Sequence, residues 1–155
     1  MNSAEDGGMR TGLEQVVRVV REYLRELEHR HGLVVKLAVL FGSWAKGLAT
    51  EASDVDVLVV AEGLRADPRK NYELLTLCEP GLARISPLGF EPEEFLRRLK
   101  GLSFVLLDAL EDGIIVKADE DFLTQVGEVV EELKATYRLR KNRRGWSFRP
   151  EAVGR

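Results

Sequence analysis

Apolar residues recur at Leu13, Val16, Val17, Val20, Leu24 and Leu27, the three- and four-residue spacing that lays one stripe along a helix, and Gly32 supplies its stop. Residues 1–10 are polar, contain glycine and show no period, which predicts a flexible N-terminus. Two largely apolar segments follow, at 34–41, where Leu37 to Phe41 is unbroken, and at 54–61, and both read as strands. The link between them is too short for the usual crossover of a parallel pair. The runs are therefore expected to be antiparallel neighbours with a helical turn between them. A helix over 70–78 closed by Pro80-Gly81, a third strand at 82–88, a helix opening at Pro92 and an apolar helix over 104–110 come next. After a break at Asp112-Gly113, a short strand at 114–116 leads to a last helix starting near Asp119, with Phe122, Val126, Val129, Val130, Leu133 and Tyr137 on one face. The pattern predicts an α/β domain over 11–137, a small mixed β-sheet flanked by helices.

The window from Phe41 to Val60 carries the chemistry. Gly42 and Ser43 end the first apolar run, where backbone N–H groups and a hydroxyl are available to a phosphate. Asp54 and Asp56 open the second run. Side chains two apart on a strand share a face, so both carboxylates point one way while Val55, Val57 and Val59 point the other, into a core. Two like charges held that close favour a cation between them. Hard oxygen ligands select Mg²⁺ or Mn²⁺, commonly shared with the phosphates of a nucleotide. The bland alternative is an Asx turn at Ser53-Asp54, which leaves Asp56 unexplained inside a strand.

This window resembles the signature of the polymerase-β-type nucleotidyltransferases, and specifically of their small single-domain members, the minimal nucleotidyltransferases. The likeness rests on the Gly42, Ser43, Ala45, Gly47 run, on Ser53 before the first aspartate and on the apolar 57–60 after the second. It implies a nucleotidyltransferase fold, a nucleoside triphosphate substrate and a Mg²⁺ or Mn²⁺ ion held by Asp54 and Asp56. It also implies transfer of a nucleoside monophosphate to a hydroxyl, often beside a helical toxin-like partner in a two-component system. Catalytically complete members carry a third acid on the next strand. Here no Asp or Glu lies between Gly81 and Phe90, and the positions facing the site are Arg84 or Ser86. Arg84 could contact a triphosphate and Ser86 could hold water, but neither replaces a carboxylate on a metal.

Other residues carry weaker signals. Lys46 could reach a phosphate from the turn after Ser43 or stay solvated. Trp44 is expected to pack on the first helix rather than stack on a base. His29 and His31, two apart on a helix, do not share a face and are not expected to bind a metal. Cys78 is the single cysteine, which excludes an internal disulfide, and is expected to be a buried small residue.

Composition adds one asymmetry. The chain of 155 residues has a formal net charge of −3, yet Arg138, Arg140, Lys141, Arg143, Arg144, Arg149 and Arg155 face a single acid, Glu151, beyond Tyr137. The segment 138–155 thus reads as a basic C-terminal tail. With Trp146 and Phe148 it could bind RNA or single-stranded nucleic acid, or it could dock on an acidic partner, on the acidic body of its own chain or in a homodimer. No 18-residue apolar stretch and no apolar leader is present, so a cytoplasmic protein with no membrane association is expected. Three functions stay open: a nucleotidyl-transferring enzyme, a catalytically impaired module that binds nucleotide or masks a partner, and a nucleic-acid-binding protein led by its tail.

Overall fold

The two apolar runs become the centre of a four-stranded mixed sheet of order β3-β2-β1-β4, with β1 spanning Val34–Phe41, β2 Val55–Glu62, β3 Ile85–Phe90 and β4 Ile114–Ala118. The computed structural model describes residues 3–77, 84–143 and 145–147. β1 and β2 are antiparallel, as the short link predicts, in a register that sets Leu40 opposite Val57 and Phe41 opposite Asp56. β3 runs parallel to β2, and β4 runs antiparallel to β1.

Both faces of the sheet are covered, which is why β1 and β2, apart from Lys36, Asp56 and Glu62, are apolar on both sides rather than alternating. On one face α1, Ser3–His31, lays Val16, Val20, Tyr23, Leu24 and Leu27 on Val35, Ala38, Leu40, Val55, Val57 and Val59. On the other, Leu37, Val39, Leu58 and Val60 meet three helices. These are α4 (Pro92–Lys100) with Phe95 and Leu99, α5 (Phe104–Asp112) with Leu106 and Leu107, and α6 (Glu120–Tyr137) with Phe122, Val126 and Leu133. Burial of each such side chain contributes roughly 1.5–3 kcal/mol.

The helices start where capping residues stand. Ser103 accepts from Leu106 N at 3.4 Å to begin α5, and Asp119 accepts from Phe122 N at 3.0 Å to begin α6. The backbone of α1 is helical from Ser3, ahead of the apolar period at Leu13, because a formed helix propagates at one hydrogen bond per added residue without needing a buried stripe.

Of the helix expected over 70–78, α3 covers Tyr72–Thr76, after a 3-10 turn at Pro68–Asn71. The turn is pinned by buried Asn71, which accepts from Arg65 N at 2.8 Å and donates to Arg65 O at 3.0 Å. Cys78, Pro80-Gly81 and Leu82 lie outside the described residues. Beyond α6 the chain forms a small antiparallel hairpin, β5 (Arg140–Asn142) and β6 (Gly145–Ser147). Arg144 and residues 148–155 lie outside the described residues. Among the described residues no helix is long and apolar enough to cross a membrane.

Candidate active site

The site forms where β1 runs out. Gly42 takes φ +74° and ψ −151°, a left-handed conformation that favours glycine, and turns the chain into the one-turn helix α2, Ser43–Lys46. Lys46 N donates to Gly42 O at 3.2 Å, Leu48 N donates to Ser43 O at 2.9 Å, and Gly47, also left-handed, ends the turn. A Cβ on Gly42 would collide with the carboxylate of Asp56. The glycine therefore serves two needs at once: backbone conformation and close approach of an acid.

The return leg is a tight turn. Ser53 N donates to Thr50 O at 3.0 Å and Thr50 N donates to Ser53 Oγ at 2.9 Å, so the Ser53 hydroxyl shapes the turn that delivers Asp54. Asp54 immediately precedes β2 and Asp56 is its second residue, opposite Phe41 of β1 and Ser86 of β3. Val55 N donates to Arg84 O at 2.8 Å, which carries Arg84 to the same end of the sheet, where its guanidinium lies 3.5 Å from Asp54 Oδ1. The Asp56 carboxyl is pushed above the ordinary carboxylate range, first by burial and second by the charge of Asp54.

The fold thus gathers Gly42, Ser43, Asp54, Asp56, Arg84 and Ser86 at one end of β1, β2 and β3. It places Ser53 in a structural turn. Lys46 is directed to α5, its Nζ 3.4 Å from Asp108 Oδ2. Trp44 packs on the α1 face of the core, where Gly12 approaches its ring, and its Nε1 is buried without a hydrogen-bond partner.

Asp54 and Asp56 are the groups here that could hold a cation. Among the described residues no cluster of three or more His, Cys, Asp or Glu side chains is placed to ligate a metal. No acid occurs on β3, and Glu91, the next along, accepts from Glu94 N at 2.7 Å as the N-cap of α4. Sequence reasoning missed Asp108 and Lys141 as neighbours of Lys46. The available signal was a pair of acids, Asp108 and Asp112, spaced four apart and so on one side of a helix that is apolar apart from these and Glu111.

Three comparisons bear on this arrangement. The family model described as a nucleotidyltransferase domain matches residues 20–136. A Methanocaldococcus jannaschii protein provisionally named a protein adenylyltransferase is 28% identical over 129 residues, which cover 77% of this chain and 86% of that protein. Among solved structures, a Sulfolobus solfataricus protein provisionally classed as a nucleotidyltransferase superposes with a TM-score of 0.50 at 15% identity, covering 72% of this chain and 88% of that one. A toxin-antitoxin structure with AMP-PNP gives a TM-score of 0.47 at 18% identity, covering 74% and 89%.

Proposed function

The chain belongs to the nucleotidyltransferase domain family, and on that premise we propose that it binds a nucleoside triphosphate with Mg²⁺ or Mn²⁺ and transfers the nucleoside monophosphate to a hydroxyl of a partner macromolecule. The observation that carries this reading is the pairing of Asp54 and Asp56 at the start of β2, with Gly42 kept bare so that the Asp56 carboxylate can approach the Gly42-Ser43 turn.

A hard divalent ion fits this donor set. Two carboxylates lie side by side, and the ionised form of one is disfavoured by burial and by its neighbour, so a cation between them would relieve both penalties. Asp54 and Asp56 would hold the ion, which when bound would neutralise phosphate charge. Ser43 and the amides opening α2 would seat phosphate oxygens, since a helix start leaves N–H groups without intrahelical partners. Arg84, exposed and beside Asp54, would exchange that carboxylate for phosphate contact.

In the transfer, an acceptor oxygen would bond to the α-phosphorus, the bond from that phosphorus to the β-bridging oxygen would break, pyrophosphate would leave and the acceptor proton would pass to solvent. The name of the M. jannaschii relative favours adenylyl transfer to a protein, and the sequence signature favours a separate helical toxin-like partner.

A second reading, a catalytically impaired module that binds nucleotide or masks a partner, is favoured by Ser86 standing opposite Asp56 where a third acid would be needed. General-base assistance is typically worth about 10²–10⁴ in rate, so transfer by the isolated chain should be slow.

Thermal unfolding with ATP and Mg²⁺ or Mn²⁺, followed by transfer of α-labelled nucleotide to candidate partner proteins, tests both readings. A hundredfold ligand excess over Kd should add roughly 2.7 kcal/mol of stability, and Asp56→Asn should remove most of it. Equal shifts in the two proteins would rule out the site. Rapid transfer by the chain alone would rule out the impaired reading.

A further inference from the structure

Two acids of α5, Asp108 and Asp112, join Lys46 of α2 to Lys141 of the C-terminal hairpin. Asp108 offers Oδ2 to Lys46, 3.4 Å away, and Oδ1 to Lys141 of β5. Lys141 has a second carboxylate, Asp112 Oδ2, at 3.4 Å, and its ammonium lies 5.4 Å from the centre of the Trp146 ring on β6. Trp146 in turn lies 6.5 Å from the ring of Phe104 at the start of α5.

The two lysines are held unequally. Lys141 has two acids and a ring face and its side chain is 21% exposed, whereas Lys46 has Asp108 at 3.4 Å and is 42% exposed. Two ammoniums on one carboxylate also repel each other. Asp108 therefore stays paired if Lys46 leaves, and Lys46 closes the same helical turn that Gly42 and Ser43 open.

We propose that Lys46 is a phosphate-contacting residue held in reserve on Asp108, and that Lys141, delivered by the C-terminal hairpin, sets how readily Lys46 is released to a triphosphate at the Gly42-Ser43 turn. The inference rests on the nucleotide-binding reading above and assigns its regulation. Without Lys141, Asp108 has Lys46 as its counter-ion, and moving Lys46 to a phosphate leaves a carboxylate less compensated. With Lys141 in place that penalty falls on neither group. Asp108 and Lys141 are positioning residues here, acting through Lys46.

The test measures binding of fluorescent ATP and AMP analogues in the presence of Mn²⁺ to the full chain and its variants. Asp108→Asn should tighten triphosphate binding about two- to fivefold and Lys141→Met should weaken it by a similar factor, the scale expected for partly exposed ion pairs. Both effects should vanish when Lys46 is Met, and AMP binding should change in neither case. The methionine keeps an apolar stem against Trp146, and circular dichroism checks that each variant folds. Triphosphate affinity that ignores Asp108→Asn, or responds equally with Lys46→Met present, overturns the proposal. Wild-type ATP binding that depends on Asp56 but not on Asp108 or Lys141 overturns this inference alone. Absent ATP binding, or binding unchanged in Asp56→Asn, overturns the nucleotide reading and this inference together.

Discussion

Gly42 and Asp56 constrain each other. A methyl group on Gly42 would meet both a left-handed backbone and the Asp56 carboxylate, and such combinations cost of order 1–3 kcal/mol. Gly42→Ala should lower Tm by several degrees and displace Asp56, so that the stabilisation by ATP and metal is lost as well. A scanning-calorimetry Tm equal to wild type would show that the turn yields without strain.

The raised pKa of Asp56 has a definite sign in stability. The fold binds this proton more tightly than the unfolded chain does, so the penalty on the charged form is complete above the folded pKa and is relieved as pH falls through it. As pH falls through the folded pKa towards that of an unfolded carboxylate, the metal-free protein should gain stability at this group while its affinity for Mn²⁺ falls, protons and cation competing for one carboxylate. Asp56→Asn should flatten both trends in thermal melts, and parallel pH profiles for the two proteins would remove Asp56 as their source. The placement of Gly42, Ser43, Asp54 and Asp56 together was legible because a short link between two apolar runs allows little else. The partner of Lys46 was not, because a side-chain pair joining residues 46 and 108 leaves no local pattern.

At the scale of elements, α1 and α6 were legible from the period of their apolar residues, and β1 and β2 from the apolar runs 37–41 and 57–61. The hairpin was not. Its strands are three residues each, Arg-Lys-Asn and Gly-Trp-Ser, and are partly buried where Lys141 and Trp146 meet α5, a contact made by tertiary packing rather than by propensity. Of the two readings of the basic tail, docking on the acidic body of the same chain describes the part at Lys141. Deleting residues 138–155 should then uncover α5 and lower Tm by roughly 2–6 °C, the response to the loss of about 1–2 kcal/mol in a domain of this size. A Tm unchanged by the deletion would mean that the hairpin adds nothing to the body. The same pair of proteins settles the nucleic-acid reading: with Lys141 engaged on Asp108 and Asp112, RNA binding at low salt should be weak in the full chain and absent after the deletion.

In the whole molecule, strand order separates what is local in sequence from what is distant. β1, α2 and β2 follow one another directly, whereas β4 reaches its place beside β1 only after β2, β3 and three further helices have intervened. The antiparallel β1–β2 pair could be read from the sequence. The docking of β4 could not, because nothing in a short apolar run states which edge it will join. β4 is an edge strand with alternating partial exposure and an interrupted register against β1, and its pairing closes a long loop. Its amides should therefore exchange with deuterium sooner than those of the β1–β2 ladder, which is buried on both faces. Native-state exchange measured peptide by peptide checks this, and equal protection of the two ladders would contradict it. The strand order thus gives the molecule a built-in sequence of opening, in which its far edge can breathe while the pair of strands that carries the aspartates stays shut.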